Sequence, residues 1–363
     1  MMRYVLLLLI LLPPSTIALP LKVGVILPLT GEGASAGKSI REGIELAHAD
    51  YRGDGLSLVF EDDQGANPRA AVNAARRLLD IERVNVILNG IVDTTPAVAP
   101  LAQRSNVPVF VAWDSNSRLD GLGEFVFGLG VSTETSGEGL AERGRSLDLP
   151  TGAVVSFANE WSEIISRAFR DRFEQKGGRI VADEMIDVSG QDFRAAITRI
   201  CARRPALIFL AVFGGARLGV LRHLRTMGFN GAMLTSDVLP EELEAEPALF
   251  EGVTSAQTLV TDDSFPAKYE AHFRKKTAAI SLGMAGIGYD ALRYLVALKS
   301  GVETAGLALT PHEIQRLTLT LQFSGATGLI DLQGSRKAGK RSSLIVFGHD
   351  GKEFKRVEAA PSY

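Results

Sequence analysis

Two loops hold most of the residues that could do chemistry. The first, Ile91-Val92-Asp93-Thr94-Thr95, follows an apolar run, Val84–Leu88, and Asn89-Gly90. The second, Trp113-Asp114-Ser115-Asn116-Ser117, follows the run Val107–Val111. In open α/β sheets, ligands sit in the crevice beyond the carboxyl ends of the strands. Two hydroxyl-rich loops at such ends, one with an aromatic, read as half of a small-molecule site. Asp237 follows the apolar run Ala232–Thr235 directly, so it too sits at a strand end.

Catalytic constellations are poorly represented. The five histidines, at 48, 223, 272, 312 and 349, are scattered and make no metal spacing. There is no Gly-x-Ser-x-Gly elbow and no Gly-x-x-x-x-Gly-Lys-Ser/Thr phosphate loop. Cys201 is the only cysteine. It lies on an apolar face with Phe193, Ala196, Ile197 and Ile200 at helical spacing, which reads as a buried thiol and not a nucleophile. The strongest enzyme-like signal is Gly31-Glu32-Gly33-Ala34-Ser35-Ala36-Gly37, with Glu61-Asp62-Asp63 at the next strand end. Dinucleotide folds use that order, glycines for the pyrophosphate and a carboxylate for the ribose. The glycine spacing departs from that fingerprint, and a loop at the lip of a cleft is the favoured reading. No enzymatic activity, cofactor or metal is expected from these residues.

The elements that position these loops alternate. Strands are expected at Leu21–Leu27, Leu56–Phe60, Val84–Leu88, Val107–Val111 and Phe125–Leu129. Helices are expected over Lys38–Asp50, from Asn67-Pro68 with a stripe of Val72, Ala75 and Leu79, and from Thr95 to about Ser105. A helix at Thr133–Leu147 follows, and then the pattern restarts. The second series has strands Ala153–Phe157, Arg179–Met185, Ala206–Val212 and Ala232–Thr235, between helices Ser162–Lys176, Asp192–Arg203 and Ala216–Met227. Short apolar strands without polar alternation suit a parallel sheet covered by helices. The class is therefore α/β, in two series divided near Val131. After Glu251 come helices Pro266–Thr277, Gly283–Ser300 and Pro311–Leu321, then short strands within 324–333 and 343–357.

With 363 residues, of which 46% are hydrophobic and 22% charged, the chain has room for two domains. A net charge of -3 gives no electrostatic case for nucleic acid or an anionic membrane. Arg3, the apolar run Tyr4–Leu12, Pro13-Pro14 and Thr16-Ile17-Ala18 read as a secretory signal with cleavage after Ala18. After cleavage no membrane insertion is expected.

Five segments in order then carry a resemblance: Val23–Gly31; Asp62-Asp63 with Asn67-Pro68; Thr95–Pro100 running on to Val107-Pro108-Val109; Gly288-Tyr289-Asp290-Ala291; and Phe323–Gly334. Behind a signal peptide, this set resembles the periplasmic solute-binding proteins of the Leu/Ile/Val-binding type, the binding subunits of branched-chain amino acid and amide ABC transporters. The resemblance implies a type I periplasmic binding protein fold. Two doubly wound Rossmann-like lobes are joined by a three-strand hinge, with residues 19–130 and 260–329 in one lobe and 131–259 and 330–363 in the other. It implies a monomer in the periplasm that closes on a small amino-acid-like or amide-like solute and is read by a membrane permease. A ligand sensor of the same fold, without transport, is the alternative.

The same resemblance implies a ligand set. Thr94, Thr95, Trp113 and Ser115 dock the solute on the first lobe, with backbone and a hydroxyl holding its carboxylate. Trp161, Phe213 and Asp237 close over it, Asp237 holding an ammonium and Trp161 standing where the family has a Tyr. Each of the three aromatics also reads as a packing residue. Ala36 and Val92 depart from the family's Tyr and Ser. Asp93 puts a carboxylate where one should be received. Pointing inward, it favours a neutral amide, a urea-like compound or a cation; pointing outward, it caps the helix beside Thr94 and Thr95.

Overall fold

A computed structural model describes residues 20–187, 193–348 and 353–357. The signal segment, Asp192 and His349 lie outside them. The chain begins with β1 (Leu21–Leu27), α1 (Ala34–Asp50), β2 (Leu56–Asp62), α2 (Pro68–Arg76), β3 (Val86–Asn89), α3 (Thr95–Arg104) and β4 (Val109–Val111). The two-residue β5 (Asp114–Ser115), β6 (Val126–Gly128) and the two-residue β7 (Val131–Ser132) follow. β1 to β4 and β6 form a parallel sheet in the order β2-β1-β3-β4-β6.

The second series is α4 (Thr133–Ser146), β8 (Thr151–Phe157), α5 (Glu160–Gln175), β9 (Arg179–Ile186), α6 (Arg194–Ala202), β10 (Leu207–Ala211), α7 (Gly214–Thr226), β11 (Ala232–Ser236), α8 (Pro240–Ala245) and β12 (Thr254–Gln257). Then come α9 (Phe265–Phe273), α10 (Ala279–Thr304), α11 (Pro311–Thr318), the hairpin β13 (Gln322–Gly325) and β14 (Gly328–Asp331), and finally β15 (Ser343–Phe347) and β16 (Phe354–Val357). The second sheet runs β16-β15-β12-β11-β10-β8-β9, parallel from β12 to β9, with β15 and β16 added antiparallel.

Both sheets are covered on two faces. In the first, α1 and α10 bury Ile40, Ile44, Leu292 and Leu295 against β1 and β3, while α2 and α3 fill the other face with Ala71, Ala75 and Val98. In the second, α6 and α7 cover one face and α4 and α5 the other. The fully apolar, fully buried β10, Leu-Ile-Phe-Leu-Ala, is what a central parallel strand requires. α9 and α11 pack with the first sheet through Phe265, Tyr269 and Ile314, whereas β15 and β16 belong to the second.

Local sequence explains the helix starts. Asn67 accepts from the Arg69 and Ala70 amides at 2.9 and 3.3 Å, with Pro68 at the first helical position. The expectation that α1 starts at Lys38 is corrected to Ala34: Gly33 takes a left-handed φ of 79° and serves as its N-cap, so the small residues 34–37 are helix and not loop. Ala36 is accordingly a buried core residue. The buried stripe on α2 is Ala71, Ala74 and Ala75, continued by Leu78 and Leu79 in the helical turn that follows, with Val72 only half-buried. β12 was not expected from sequence. Cys201 is half-buried at the edge of the second core, and burial pushes its thiol up.

Two of the sequence motifs prove to be one joint. The Asp290 carboxylate on α10 accepts from the Ala326 amide at 2.5 Å, the Thr327 amide at 2.8 Å and the Thr327 hydroxyl at 2.5 Å. It thereby fixes the turn between β13 and β14. Lys340 joins the same cluster, hydrogen-bonded to Thr327 and 3.9 Å from Asp290.

Candidate ligand cavity between the two sheets

The loops at the carboxyl ends of β1, β3, β4, β8, β10 and β11 converge on one cavity of about 390 Å³. Its apolar wall includes Pro28, Ile91, Leu239 and three aromatics, Trp113, Trp161 and Phe213. Its polar wall holds Glu32, Asp93, Asp114, Glu160, Asp237 and Arg217. Residues following both sheets contribute, as the crevice rule for open α/β sheets requires.

Five sequence-derived candidates meet here: Asp93, Trp113, Trp161, Phe213 and Asp237. The aromatics both pack and line. Phe213 sits edge-on to Phe157 at 5.1 Å and to Trp161 at 5.8 Å, centroid to centroid. Asp93 faces inward, lining the cavity, and does not cap α3 with its side chain. The other three candidates do not line it. Thr94 and Thr95 are fully buried and receive Asn89 Nδ2 at 3.1 and 2.8 Å; Thr95 donates to the Ile91 carbonyl at 3.0 Å. Ser115, also buried, turns its hydroxyl to the Gly130 and Val131 carbonyls, each at 3.4 Å.

The carboxylates of the second strand end serve the protein itself. Asp62 receives the Leu29 amide at 2.9 Å, the Thr30 hydroxyl at 2.6 Å and the Gln64 amide at 2.8 Å, which ties down the β1–α1 loop. Asp63 receives the Ala66 amide at 2.9 Å.

Sequence reasoning passed over Asp114 and Arg217. Asp114 accepts from the Val92 amide at 2.9 Å. Arg217 is completely buried. Its Nε donates to the Val212 carbonyl at 2.7 Å, its Nη2 to the Ser236 carbonyl at 2.8 Å, and its Nη1 to Glu242 at 2.9 Å and the Asp237 carbonyl at 3.3 Å. It thus joins the ends of β10 and β11. The signal was its place on the stripe Arg217, Val220, Leu221 and Leu224.

Contacts also cross between the two halves. The Gly33 amide donates to Glu241 at 2.9 Å. Arg118 pairs with Glu160 at 3.6 Å and Glu163 at 3.7 Å. Glu32 lies against the N-terminus of α7, where a Cβ on Gly214 would stand 1.4 Å from its Oε1.

Burial governs the acids. It pushes Asp93 up to about 6, with Glu160 adding and the Trp161 amide opposing. It pushes Asp237 up to about 6 against Ser236, Arg217 and Trp113. It lifts Asp114 well above the usual range, with Asp93 and Asp237 adding and the Val92 amide opposing. Unfolded, an Asp titrates near about 4. At Asp93 and Asp237 the folded protein therefore holds the extra protons between about 4 and about 6, and stability from these two groups is present below that window and lost as pH rises through it. Asp237→Asn removes one such group. Its melting midpoint, relative to the unaltered protein, should rise progressively from about pH 4 to about pH 7, and a gap constant with pH would contradict this.

A family model described as "Periplasmic binding protein" matches residues 20–347. The chain belongs to the periplasmic binding protein family. Among solved structures, this family member resembles the leucine-binding protein LivK of Thermotoga maritima, with TM-score 0.83 and 25% identity over 94% of this chain and 99% of that one. A solute-binding protein of an ABC transporter from Rhodopseudomonas palustris, solved with 3,4-dihydroxybenzoic acid, shares the fold at TM-score 0.79 and 20% identity, covering 94% and 98%. The isoleucine-bound LivJ of Streptococcus pneumoniae shares it at 0.80 and 18%, covering 93% and 99%. A Leu/Ile/Val-binding protein homolog of Brucella abortus is 27% identical over 187 residues, 49% of this chain and 47% of the relative. This binding protein thus spans about half the length of the curated relatives it matches. Among the described residues, no helix is long and apolar enough to cross a membrane.

Proposed function

We propose that the chain is the extracytoplasmic solute-binding component of an ABC transporter. It takes a small amino-acid-like or amide-like solute into the cavity and closes on it by hinge motion. The observation that carries this reading is a cavity whose walls come from the loops of two separate sheets, bridged by Gly33–Glu241 and Arg118–Glu160. Such a site exists only when the halves approach, so ligand and closure favour each other.

The lobes in this reading comprise residues 19–130 with 260–329, and 131–259 with 330–363. The sheet memberships and the packing of α9 to α11 support that division except over 330–338, where Ile330, Leu332 and Ala338 pack in the first core and Gly128 pairs with the backbone of Arg336 and Ala338, so the last passage to the second lobe falls after 338. Secretion through residues 1–18 would place the protein in the periplasm, where a permease reads the closed form and the receptor works as a monomer.

Thermal melting against a solute panel tests the reading. The panel holds aliphatic and aromatic amino acids, neutral amides, amines, aromatic acids and NAD. A true ligand at a hundred times its Kd stabilises by about 2.7 kcal/mol, a shift easily resolved. A shift with a member of the small-solute classes is expected. A shift with NAD alone would overturn the receptor reading.

A further inference from the structure

The geometry points to a solute whose polar end is a cationic N–H donor, an amine or amidine on an apolar body, and which carries no carboxylate. This rests on the cavity being the solute site, and it replaces the zwitterionic head of an amino acid with a purely cationic one.

The first argument is what a ligand carboxylate would lack. The hydroxyls that could have received it are turned away: Thr94 and Thr95 belong to the Asn89 network, and Ser115 faces the Gly130 and Val131 carbonyls. The backbone amide at the start of that segment is taken as well. Asp114 presents a side-chain oxygen of the protein's own to the Val92 N–H at 2.9 Å, so that amide is not open to a ligand. Arg217, the only base among the described lining residues, already serves Glu242 and three backbone carbonyls.

The second argument is what the cavity lacks without a cation. Oδ1 of Asp93 and Oδ1 of Asp237 are both buried without a hydrogen-bond partner. Buried acceptors left unpaired are costly, and each calls for a donor. Asp237 is also held at a left-handed φ of 47°, an uncommon conformation for a residue other than glycine, which presents it at the end of β11. Five carboxyl groups line the cavity against one guanidinium that is already paired. Another anion would be repelled there. An ammonium or amidinium would give N–H donors to the unpartnered oxygens, and its apolar body would lie among Trp113, Trp161 and Phe213, whose faces attract cations.

Two matched series test the charge at constant shape: benzamidine, benzamide and benzoate; and isopentylamine, leucine and 4-methylpentanoate. Titration calorimetry on the mature protein should show benzamidine and isopentylamine binding at least ~100-fold more tightly than the carboxylate of the same shape. Asp237→Asn, confirmed folded by its melting curve, should erase most of that preference. Asp114→Ala, which leaves no side-chain acceptor, should free the Val92 amide and raise the affinity for benzoate, a gain that misfolding cannot mimic. Benzoate, 4-methylpentanoate or leucine binding as tightly as its matched cation would overturn the inference and leave the receptor reading standing. Full retention of the cation preference in Asp237→Asn would also overturn it. A protein that binds none of the six, while NAD shifts its melting, overturns both.

Discussion

Arg217→Met should cost about 3–5 kcal/mol of stability, read as a fall in the urea midpoint of the far-ultraviolet signal. The reason is not the ion pair alone. Arg217 is wholly buried, and its guanidinium is the donor for Glu242 and for the carbonyls of Val212, Ser236 and Asp237. Methionine fills much of the volume but leaves a buried carboxylate and three carbonyls without their partner. Burial already raises the Glu242 carboxyl against the pull of Arg217 and the Leu239 amide. Glu242→Gln in the same chain should therefore recover part of the loss, the non-additivity expected of contacting residues. The exposed pair Arg222–Glu246 is the internal comparison: Arg222→Ala should cost about 1 kcal/mol or less. Equal losses at 217 and 222 would contradict the account.

Gly288→Ala should be comparably damaging for a different reason. A Cβ on Gly288 would stand 1.9 Å from the Ile40 carbonyl oxygen, and one on Gly43 would stand 1.7 Å from that of Ala285. In both cases the obstacle is backbone, so no side-chain rotation relieves it. α1 and α10 would have to separate by more than an ångström. Overpacking typically costs about 1–3 kcal/mol, and backbone against backbone should reach the upper end or beyond it. The same displacement moves Gly33, which lines the cavity at the start of α1. Ligand affinity should thus fall together with stability. Since each alanine forces the same separation, the double variant Gly43→Ala with Gly288→Ala should cost clearly less than the two single losses combined. Simple additivity would show that the two glycines report on independent contacts.

Much of this architecture was legible in the chain itself. Runs such as Leu21–Leu27 and Leu207–Ala211 announce central parallel strands, and Asn67-Pro68 announces its helix. β12 was hidden because Thr-Ser-Ala-Gln carries no apolar run. It lies buried in the sheet nonetheless, with Gln257 Nε2 satisfied by the Ser255 hydroxyl at 3.0 Å. The start of α1 was hidden because glycine-rich segments ordinarily break helices, whereas here small residues let the helix pass Pro28.

At the site, strand-end logic found Trp113 and Asp237, and the family resemblance found Trp161 and Phe213. Neither could see which way a side chain turns. Thr94, Thr95 and Ser115 have the right chemistry but spend it inward. Asp93, open to two readings in sequence, faces the cavity. Arg217 looks like any helix cation until the buried stripe it shares is noticed.

The protein carries its own reporter for the central claim. Trp113 and Trp161 are its only two tryptophans, and both line the cavity. The decisive measurement is tryptophan emission of the mature protein during titration with the solute of greatest thermal shift. A saturable change in emission, with the Kd found by calorimetry and weakened in Asp237→Asn, is the result predicted. A solute that binds by calorimetry yet leaves the emission of both tryptophans unmoved would place binding outside this cavity and contradict the account.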